Sequence, residues 1–117
     1  MKLKRLVLTG AAGRLGSYLR EPLSQLCDEL VSSDMVESLG ALYAGERYQR
    51  ADLTDKAAIH ALLAGADMVV HFGAISDEAT FEDILGPNII GAYNVWEAAH
   101  QQGLRRVVYA SSIHAVG

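Results

Sequence analysis

The stretch "RLVLTGAAGRLG", residues 5–16, decides the fold. Residues 5–9 form an apolar run of strand length, and Gly10, Gly13 and Gly16 follow it directly. Between a strand and a helix, glycines at this spacing allow a tight turn, close approach of the backbone to a pyrophosphate, and helix N–H groups aimed at the anion. Glycines at such spacing also occur in ordinary turns, so the motif needs support from its context.

A carboxylate further along the chain supplies that context. Asp34 lies about 20 residues beyond the glycines, at the predicted end of the second strand, where it can accept hydrogen bonds from adenosine ribose hydroxyls. The alternative is a plain strand-to-helix turn followed by a capping aspartate. The charge of Asp34 would also repel a 2′-phosphate, so the pattern favours NAD over NADP as the cofactor.

Strand-like and helix-like segments alternate along the chain. Apolar runs that do not alternate with polar residues indicate parallel strands covered on both faces, and repeated βα units imply an open, doubly wound sheet. We therefore predict an α/β fold, a Rossmann-type parallel sheet of about five strands in the order 3-2-1-4-5, in one domain, 1–117. The predicted strands are residues 5–9, 30–33, 47–51, 67–72 and 105–110. The predicted helices are one over Leu15 to Leu26 that Pro22 kinks, one that Thr54 caps and Gly65 closes, and one from Pro87 to Gly103 with Ile89, Tyr93, Trp96 and Ala99 on its apolar face.

Two further loops follow strands that end at the same edge of the sheet. Asp52 and Leu53 come after the third strand, where a carboxylate and an apolar side chain could hold an adenine, although helix capping by Asp52 or Thr54 explains the residues equally well. After the fourth strand, Gly73 and Ala74 are small enough for a ligand to lie against the backbone, and Ser76 adds a hydroxyl.

The composition excludes several classes of protein. Half of the residues are hydrophobic, the formal net charge is −4, and Lys and Arg number only 10, which makes nucleic acid or an anionic membrane a poor partner. Cys27 is the single cysteine, so no disulfide framework exists, and no segment approaches transmembrane length. No histidine has metal-ligand spacing, so we expect no metal site. These features indicate a cytoplasmic protein.

Five segments together resemble one family. "TGAAGRLG", "ADLTD", "HFGAIS", "NIIGAYNVWEAA" and "VVYASS" are similar to the NAD-dependent epimerase/dehydratase family, the extended short-chain dehydrogenases. Within it the chain looks most like the N-terminal portion of the uronate dehydrogenases, which oxidise hexuronates at C1 to aldarolactones with transfer of hydride to NAD. The resemblance therefore implies a sugar acid substrate, and a sheet and substrate domain that are incomplete here.

The resemblance also implies roles for particular residues. Ser112 would be the hydroxyl of the catalytic triad, and Ser76, Ser112 and His114 would contact substrate. The cofactor would contact Gly10, Gly13, Arg14, Leu15 and Gly16 near its pyrophosphate, Asp34 and Met35 at the adenosine ribose, Asp52 and Leu53 at the adenine, and Phe72, Gly73, Ala74, Ile75 and Ser76 along the rest.

The chain departs from the family pattern in two places. Family members pair the serine with Tyr-x-x-x-Lys, whose tyrosinate removes the proton, and none of the five tyrosines here has a lysine four residues later. Ser112-Ile113-His114 stands where uronate dehydrogenases have Ser-Asn-His, and isoleucine cannot hydrogen-bond a sugar. A nucleotide-sugar epimerase or dehydratase, or a non-catalytic NAD-binding fragment, therefore remain alternatives. The apolar strand 105–110 would form an unprotected sheet edge, which predicts self-association.

Overall fold

A computed structural model describes residues 3–72, 81–104 and 106–110, without the side chains of residues 14–15, 81–89 and 109–110. Five parallel strands form one sheet in the order β3-β2-β1-β4-β5. This confirms the predicted doubly wound α/β fold and its strand order. In chain order the elements are β1 (Leu3–Thr9), α1 (Arg14–Ser24), β2 (Cys27–Ser33), β3 (Glu46–Tyr48), α2 (Lys56–Leu63), β4 (Met68–Phe72), α3 (Phe81–Gln102) and β5 (Arg106–Ala110).

The sheet is covered on both faces, which explains the apolar runs. Successive strand residues point to opposite faces, so neighbours in β1 enter different cores. Val7 packs with Val31, Val69 and the buried residues of α2 and α3, whereas Leu6 and Leu8 pack on the α1 side of the sheet. Both faces of β1 are therefore buried, as the sequence pattern predicts for a central parallel strand.

Two strands differ in extent from the sequence prediction. β2 begins at Cys27 instead of residue 30, because Cys27 already pairs with Leu3 of β1. β3 is confined to Glu46–Tyr48 instead of 47–51, although the Ala51 N–H still donates to the Asp34 carbonyl at 3.1 Å. The segment after β3 thus stays alongside the segment after β2.

The predicted cap of α2 is wrong by one residue. Asp55 is the N-cap, and its carboxylate accepts a hydrogen bond from the Ala58 N–H at 3.2 Å. The N–H and the hydroxyl of Thr54 both donate to the Asp52 carboxylate instead. The predicted close of the helix at Gly65 is consistent with the positive φ of that residue, 74°.

Two predictions for α3 are also wrong. The helix begins at Phe81, not at Pro87, and continues through the proline at the loss of one backbone hydrogen bond. The predicted apolar face holds only in part: Tyr93 and Trp96 are about half exposed, at 54% and 49%, whereas Ala99 is buried. The side chain of Ile89 lies outside those described. In residues 3–72 and 81–104, no helix is long and apolar enough to cross a membrane.

Candidate nucleotide-binding site

The candidate site lies where the sheet changes direction. From β1 the chain moves to β2 and β3 on one side and then returns to β4 on the other. In open α/β sheets of this order, ligands bind outside the carboxyl ends of the strands at the point where the strand order reverses, which here lies between β1 and β4. The predicted cofactor residues Gly10, Asp34, Asp52 and Phe72 all stand at or just beyond the carboxyl ends of described strands.

The glycine turn after β1 is tightly packed. Gly10 has a φ of 70°, which favours glycine, and a Cβ there would lie 2.8 Å from the Phe72 carbonyl oxygen. At Gly16, in the first turn of α1, a Cβ would lie 2.1 Å from the Gly10 carbonyl oxygen. Gly13 is the N-cap residue of α1, without a side chain to bond the first helical N–H groups. The turn therefore combines bare backbone with a helix N-terminus that has no side-chain cap, the arrangement that suits a pyrophosphate.

Asp34 lies directly beside this turn. Its Oδ2 accepts a hydrogen bond from the Ala12 N–H at 2.9 Å, and its Oδ1 accepts one from the Met35 N–H at 2.7 Å. The Tyr48 hydroxyl donates to the Asp34 carbonyl at 3.0 Å, and Met35 itself is 54% exposed. The carboxylate predicted from spacing alone thus sits against the backbone of the glycine turn.

The loop after β3 carries the second predicted carboxylate. The N–H and hydroxyl of Thr54 both donate to Asp52 Oδ1, at 2.9 and 2.8 Å, and these hydrogen bonds hold the pKa of Asp52 below its usual value. Oδ2 of the same carboxylate has no hydrogen-bond partner among the described residues. Leu53 is partly buried and packs against the core cluster on the α2 and α3 side of the sheet.

Helix α3 contacts this loop at Leu53. The Asn94 side-chain amide donates to the Leu53 carbonyl oxygen at 2.9 Å, and a Cβ at Gly91 would lie 3.0 Å from Leu53 Cβ. Sequence reasoning missed both residues. The only signal in the sequence was the side-chain amide of Asn94 among the apolar residues of a helix. An amide that makes an ordinary buried hydrogen bond gives the same signal as a functional one.

Thr9 and His71 join β1 to β4 near the carboxyl ends of these strands. The Phe72 N–H donates to the Thr9 hydroxyl oxygen at 3.1 Å, and the same oxygen is hydrogen-bonded to His71 Nδ1, 2.6 Å away. Burial lowers the pKa of His71 to about 4, so its imidazole is neutral at neutral pH. This network ties the strand before the glycine turn to the end of β4.

The remaining predicted residues divide into two groups. The backbone of Arg14 and Leu15 begins α1, but their side chains are not among those described, and Phe72 is buried, with its side chain packed in the core. Gly73, Ala74, Ile75, Ser76, Ser112 and His114 lie outside the described residues. Within residues 3–72, 81–104 and 106–110, no group of three His, Cys, Asp or Glu side chains could hold a metal ion.

The sequence of residues 6–117 matches the model of the NAD-dependent epimerase/dehydratase family. The chain belongs to this family. The match covers nearly the whole chain and confirms the resemblance inferred from the five sequence segments. It also agrees with the glycine turn and the carboxylate beside it.

Individual relatives show the same relationship. The chain is 48% identical over 113 residues to the uronate dehydrogenase of Pseudomonas putida, an alignment that covers 97% of this chain and 42% of that protein. A crystal structure of a mutant uronate dehydrogenase from Agrobacterium tumefaciens complexed with NAD superposes with a TM-score of 0.85 and 46% identity, over 97% of this chain and 43% of that one. A dTDP-glucose 4,6-dehydratase of Mycobacterium tuberculosis is 34% identical over 113 residues, 86% of this chain and 34% of that protein.

The chain spans about two fifths of the length of the uronate dehydrogenases it matches. The matched part contains the glycine turn and both loops that carry a predicted carboxylate.

Proposed function

We propose that this chain is the cofactor-binding part of an NAD-dependent oxidoreductase of uronate dehydrogenase type, which oxidises a hexuronate at C1 to an aldarolactone. The observation that carries the proposal is the position of Asp34, whose carboxylate lies within hydrogen-bond distance of the Ala12 N–H in the glycine turn. A pyrophosphate lying on this turn would bring the adjoining ribose to that carboxylate. The identity to uronate dehydrogenases, 45–48% over almost the whole chain, supports the reaction.

The residues present fit a dinucleotide. Gly10 and Gly16 allow the turn to pack tightly, the exposed Gly13 leaves its backbone open to the two phosphates, and the N-terminus of α1 offers N–H groups to their charge. Asp34 accepts hydrogen bonds from the ribose hydroxyls, and Asp52 Oδ2 accepts one from the adenine amino group. Leu53 provides an apolar surface for the base. When bound, NAD supplies the acceptor for the hydride from the sugar.

The substrate side of the proposal rests on Ser76, Ser112 and His114. In our proposal Ser112 hydrogen-bonds the reacting hydroxyl, and the other two side chains contact the sugar acid. Ile113 stands where uronate dehydrogenases carry asparagine, and the similarity to a dTDP-glucose 4,6-dehydratase favours a nucleotide sugar as the second candidate substrate. Titration calorimetry with galacturonate, glucuronate and dTDP-glucose on the NAD-bound chain distinguishes these candidates by binding and requires no turnover. The 117 residues contain no Tyr-x-x-x-Lys pair, so we expect no enzymatic rate from this chain by itself.

The cofactor assignment is tested by titration calorimetry with NAD and NADP. We expect tighter binding of NAD, because the 2′-phosphate of NADP would meet the Asp34 carboxylate. Asp34→Ala should reduce this preference by roughly tenfold, the effect of losing a hydrogen bond to a charged group. Asp28→Ala is a matched control, since Asp28 is an exposed carboxylate near the opposite end of β2. Equal affinity of the wild type for both cofactors would contradict the role of Asp34.

We also propose that the chain self-associates through β5. In the described part of the sheet β5 pairs only with β4, and the Val108 side chain is 40% exposed. Val108→Lys should increase the monomer fraction in size-exclusion chromatography with light scattering, because a charge opposes edge-to-edge pairing. A wild-type chain that stays monomeric at every concentration would contradict this proposal. The cytoplasmic location stays a prediction from the sequence.

A further inference from the structure

We propose that Asn94 and Gly91 of α3 are positioning residues that set the preference of the site for adenine over other bases. They would act through the segment Asp52–Leu53 without touching the cofactor themselves. The inference rests on the proposed function, in which that segment holds the adenine.

The contacts come from one face of α3. Asn94 is 6% exposed, and its amide donates to the Leu53 carbonyl oxygen at 2.9 Å. One turn earlier, Gly91 is buried, and the nearest atoms to a Cβ built there are all in the Leu53 side chain, beginning with Leu53 Cβ at 3.0 Å. The hydrogen bond draws the loop towards the helix, and the absence of a side chain at Gly91 allows Leu53 to fit there. The hydrogen bond restrains the Leu53 backbone, and the close approach of Gly91 restrains its side chain.

The position of Leu53 determines where the neighbouring carboxylate can act. Asp52 Oδ1 is occupied by the N–H and hydroxyl of Thr54, so Oδ2 is the oxygen available to a base. An amino group such as that of adenine can donate to Oδ2, whereas a carbonyl at the same place on hypoxanthine would repel it. A hydrogen bond depends steeply on distance and angle, so a shift of the loop by a few tenths of an ångström weakens the discrimination.

The experiment compares NAD with nicotinamide hypoxanthine dinucleotide, in which a carbonyl replaces the adenine amino group. The ratio of the two dissociation constants is measured by titration calorimetry on the whole chain. Asn94→Leu removes the amide and keeps a side chain of similar size. Gln102→Leu is the matched control, because Gln102 also lies on α3 and its amide donates to a backbone carbonyl, that of His60, at 2.8 Å.

We expect the wild type to bind NAD roughly tenfold or more tightly than the hypoxanthine analogue, the effect of a hydrogen bond to a charged group. Asn94→Leu should reduce this ratio by roughly three- to tenfold, and Gln102→Leu should leave it unchanged. Gly91→Ala is the second variant, for the case that Asn94→Leu does not fold. Gly91→Ala leaves all hydrogen-bonding groups in place and stabilises the helix. It should reduce the ratio of the two dissociation constants because the added methyl group displaces Leu53.

Asp52→Ala separates the two levels of the proposal. Suppose that Asp52→Ala abolishes the preference for NAD over the hypoxanthine analogue, while Asn94→Leu and Gly91→Ala keep the wild-type ratio. The adenine assignment of Asp52 is then supported, and the positioning role of Asn94 and Gly91 is wrong. If Asp52→Ala keeps the ratio, or if the wild type does not distinguish the two dinucleotides or does not bind NAD, the adenine assignment fails and the inference fails with it. An equal loss of preference in Gln102→Leu would show a general loss of stability and would also overturn the role of Asn94.

Discussion

Replacing Gly16 by alanine is a direct test of how the glycine turn is built. A Cβ at this position would lie 2.1 Å from the Gly10 carbonyl oxygen, 2.9 Å from the Gly10 carbonyl carbon and 3.1 Å from Ala11 Cα. All three are backbone atoms, so no side-chain rotation relieves the contact. Non-bonded carbon atoms rest at about 3.5–4.0 Å, so the turn and the start of α1 would have to separate by roughly 1 Å.

The cost of this movement can be estimated. Overpacking costs about 1–3 kcal/mol, and a contact this short belongs at the upper end of the range, whereas alanine gains only about 1 kcal/mol over glycine in a helix. The net loss of about 2 kcal/mol corresponds to a fall in Tm of roughly 10 °C for a domain of this size. NAD binding should be lost as well, because the displaced turn no longer aligns its N–H groups with the pyrophosphate.

Gly13→Ala provides the matched control. Gly13 is exposed, its backbone is extended with a φ of −73°, and its Cβ would meet only the Gly10 carbonyl oxygen, at 3.3 Å. Thermal denaturation should therefore show a Tm close to that of the wild type, while calorimetry shows weaker NAD binding, because the added methyl group lies where the pyrophosphate approaches. A Gly16→Ala chain that melts with the wild type, or a Gly13→Ala chain that binds NAD as well as the wild type, would refute this account of the turn.

Two further predictions concern buried ionisable side chains. Because burial lowers the pKa of His71 from 6.5 to about 4, the unfolded chain takes up a proton between these values that the folded chain does not. Stability should therefore fall as the pH falls through this range, by roughly 3 kcal/mol, and urea denaturation of His71→Gln should lack that component; equal slopes would contradict it. Arg20 donates to both oxygens of the buried Glu46, at 2.7 and 2.8 Å, so Arg20→Met should cost about 3–5 kcal/mol by leaving an unpaired buried charge. In urea denaturation, the double variant Arg20→Met/Glu46→Gln should recover part of this loss. An Arg20→Met variant as stable as the wild type would show that the ion pair does not contribute to stability.

The fold could be predicted because its determinants are local. Val7 and Leu8 are neighbours in β1, and both are fully buried, on opposite faces of the sheet. A parallel strand with helices on both sides places consecutive apolar residues in this way, so the pattern favours the α/β class. The predicted strand order followed from the assignment to the doubly wound class, in which the strand order reverses between the first and fourth strands.

Helix α3 was harder to predict because periodicity measures hydrophobicity and not size. The large side chains of Tyr93 and Trp96 suggested the buried face, yet the structure exposes them and buries Val95 and Ala98. Small residues allow the helix to approach its neighbours closely, and large aromatic residues would hold it away. On the exposed face, Trp96 stacks on His100 with a ring-centroid distance of 5.3 Å. These rings therefore interact along the helix surface instead of within the core.

The positions of Asp34 and Asp52 beyond strand ends could be predicted, and the contacts that order the neighbouring segments could not. Asp34 and Asp52 follow strands at positions that a sequence displays directly. The contact between Asn94 and Leu53 joins residues 41 positions apart, and that between Thr9 and His71 joins residues 62 positions apart. Such contacts depend on the distance between packed elements, which a single sequence does not contain.

In the proposed function Asp34 has two roles, ordering the glycine turn and binding the ribose, and one substitution would remove both. Its two oxygens already accept hydrogen bonds from the Ala12 and Met35 N–H groups, so the carboxylate helps to order the glycine turn before any ligand arrives. An ionised carboxylate has about four lone-pair sites, so two remain for ribose hydroxyls. Asp34→Ala would therefore loosen the turn and also remove the proposed ribose contact. A measurement of weaker NAD binding alone would not separate these two effects. The ratio of NAD to NADP affinity does separate them, because a loosened turn weakens both cofactors alike, whereas loss of the negative charge favours only the one with a 2′-phosphate.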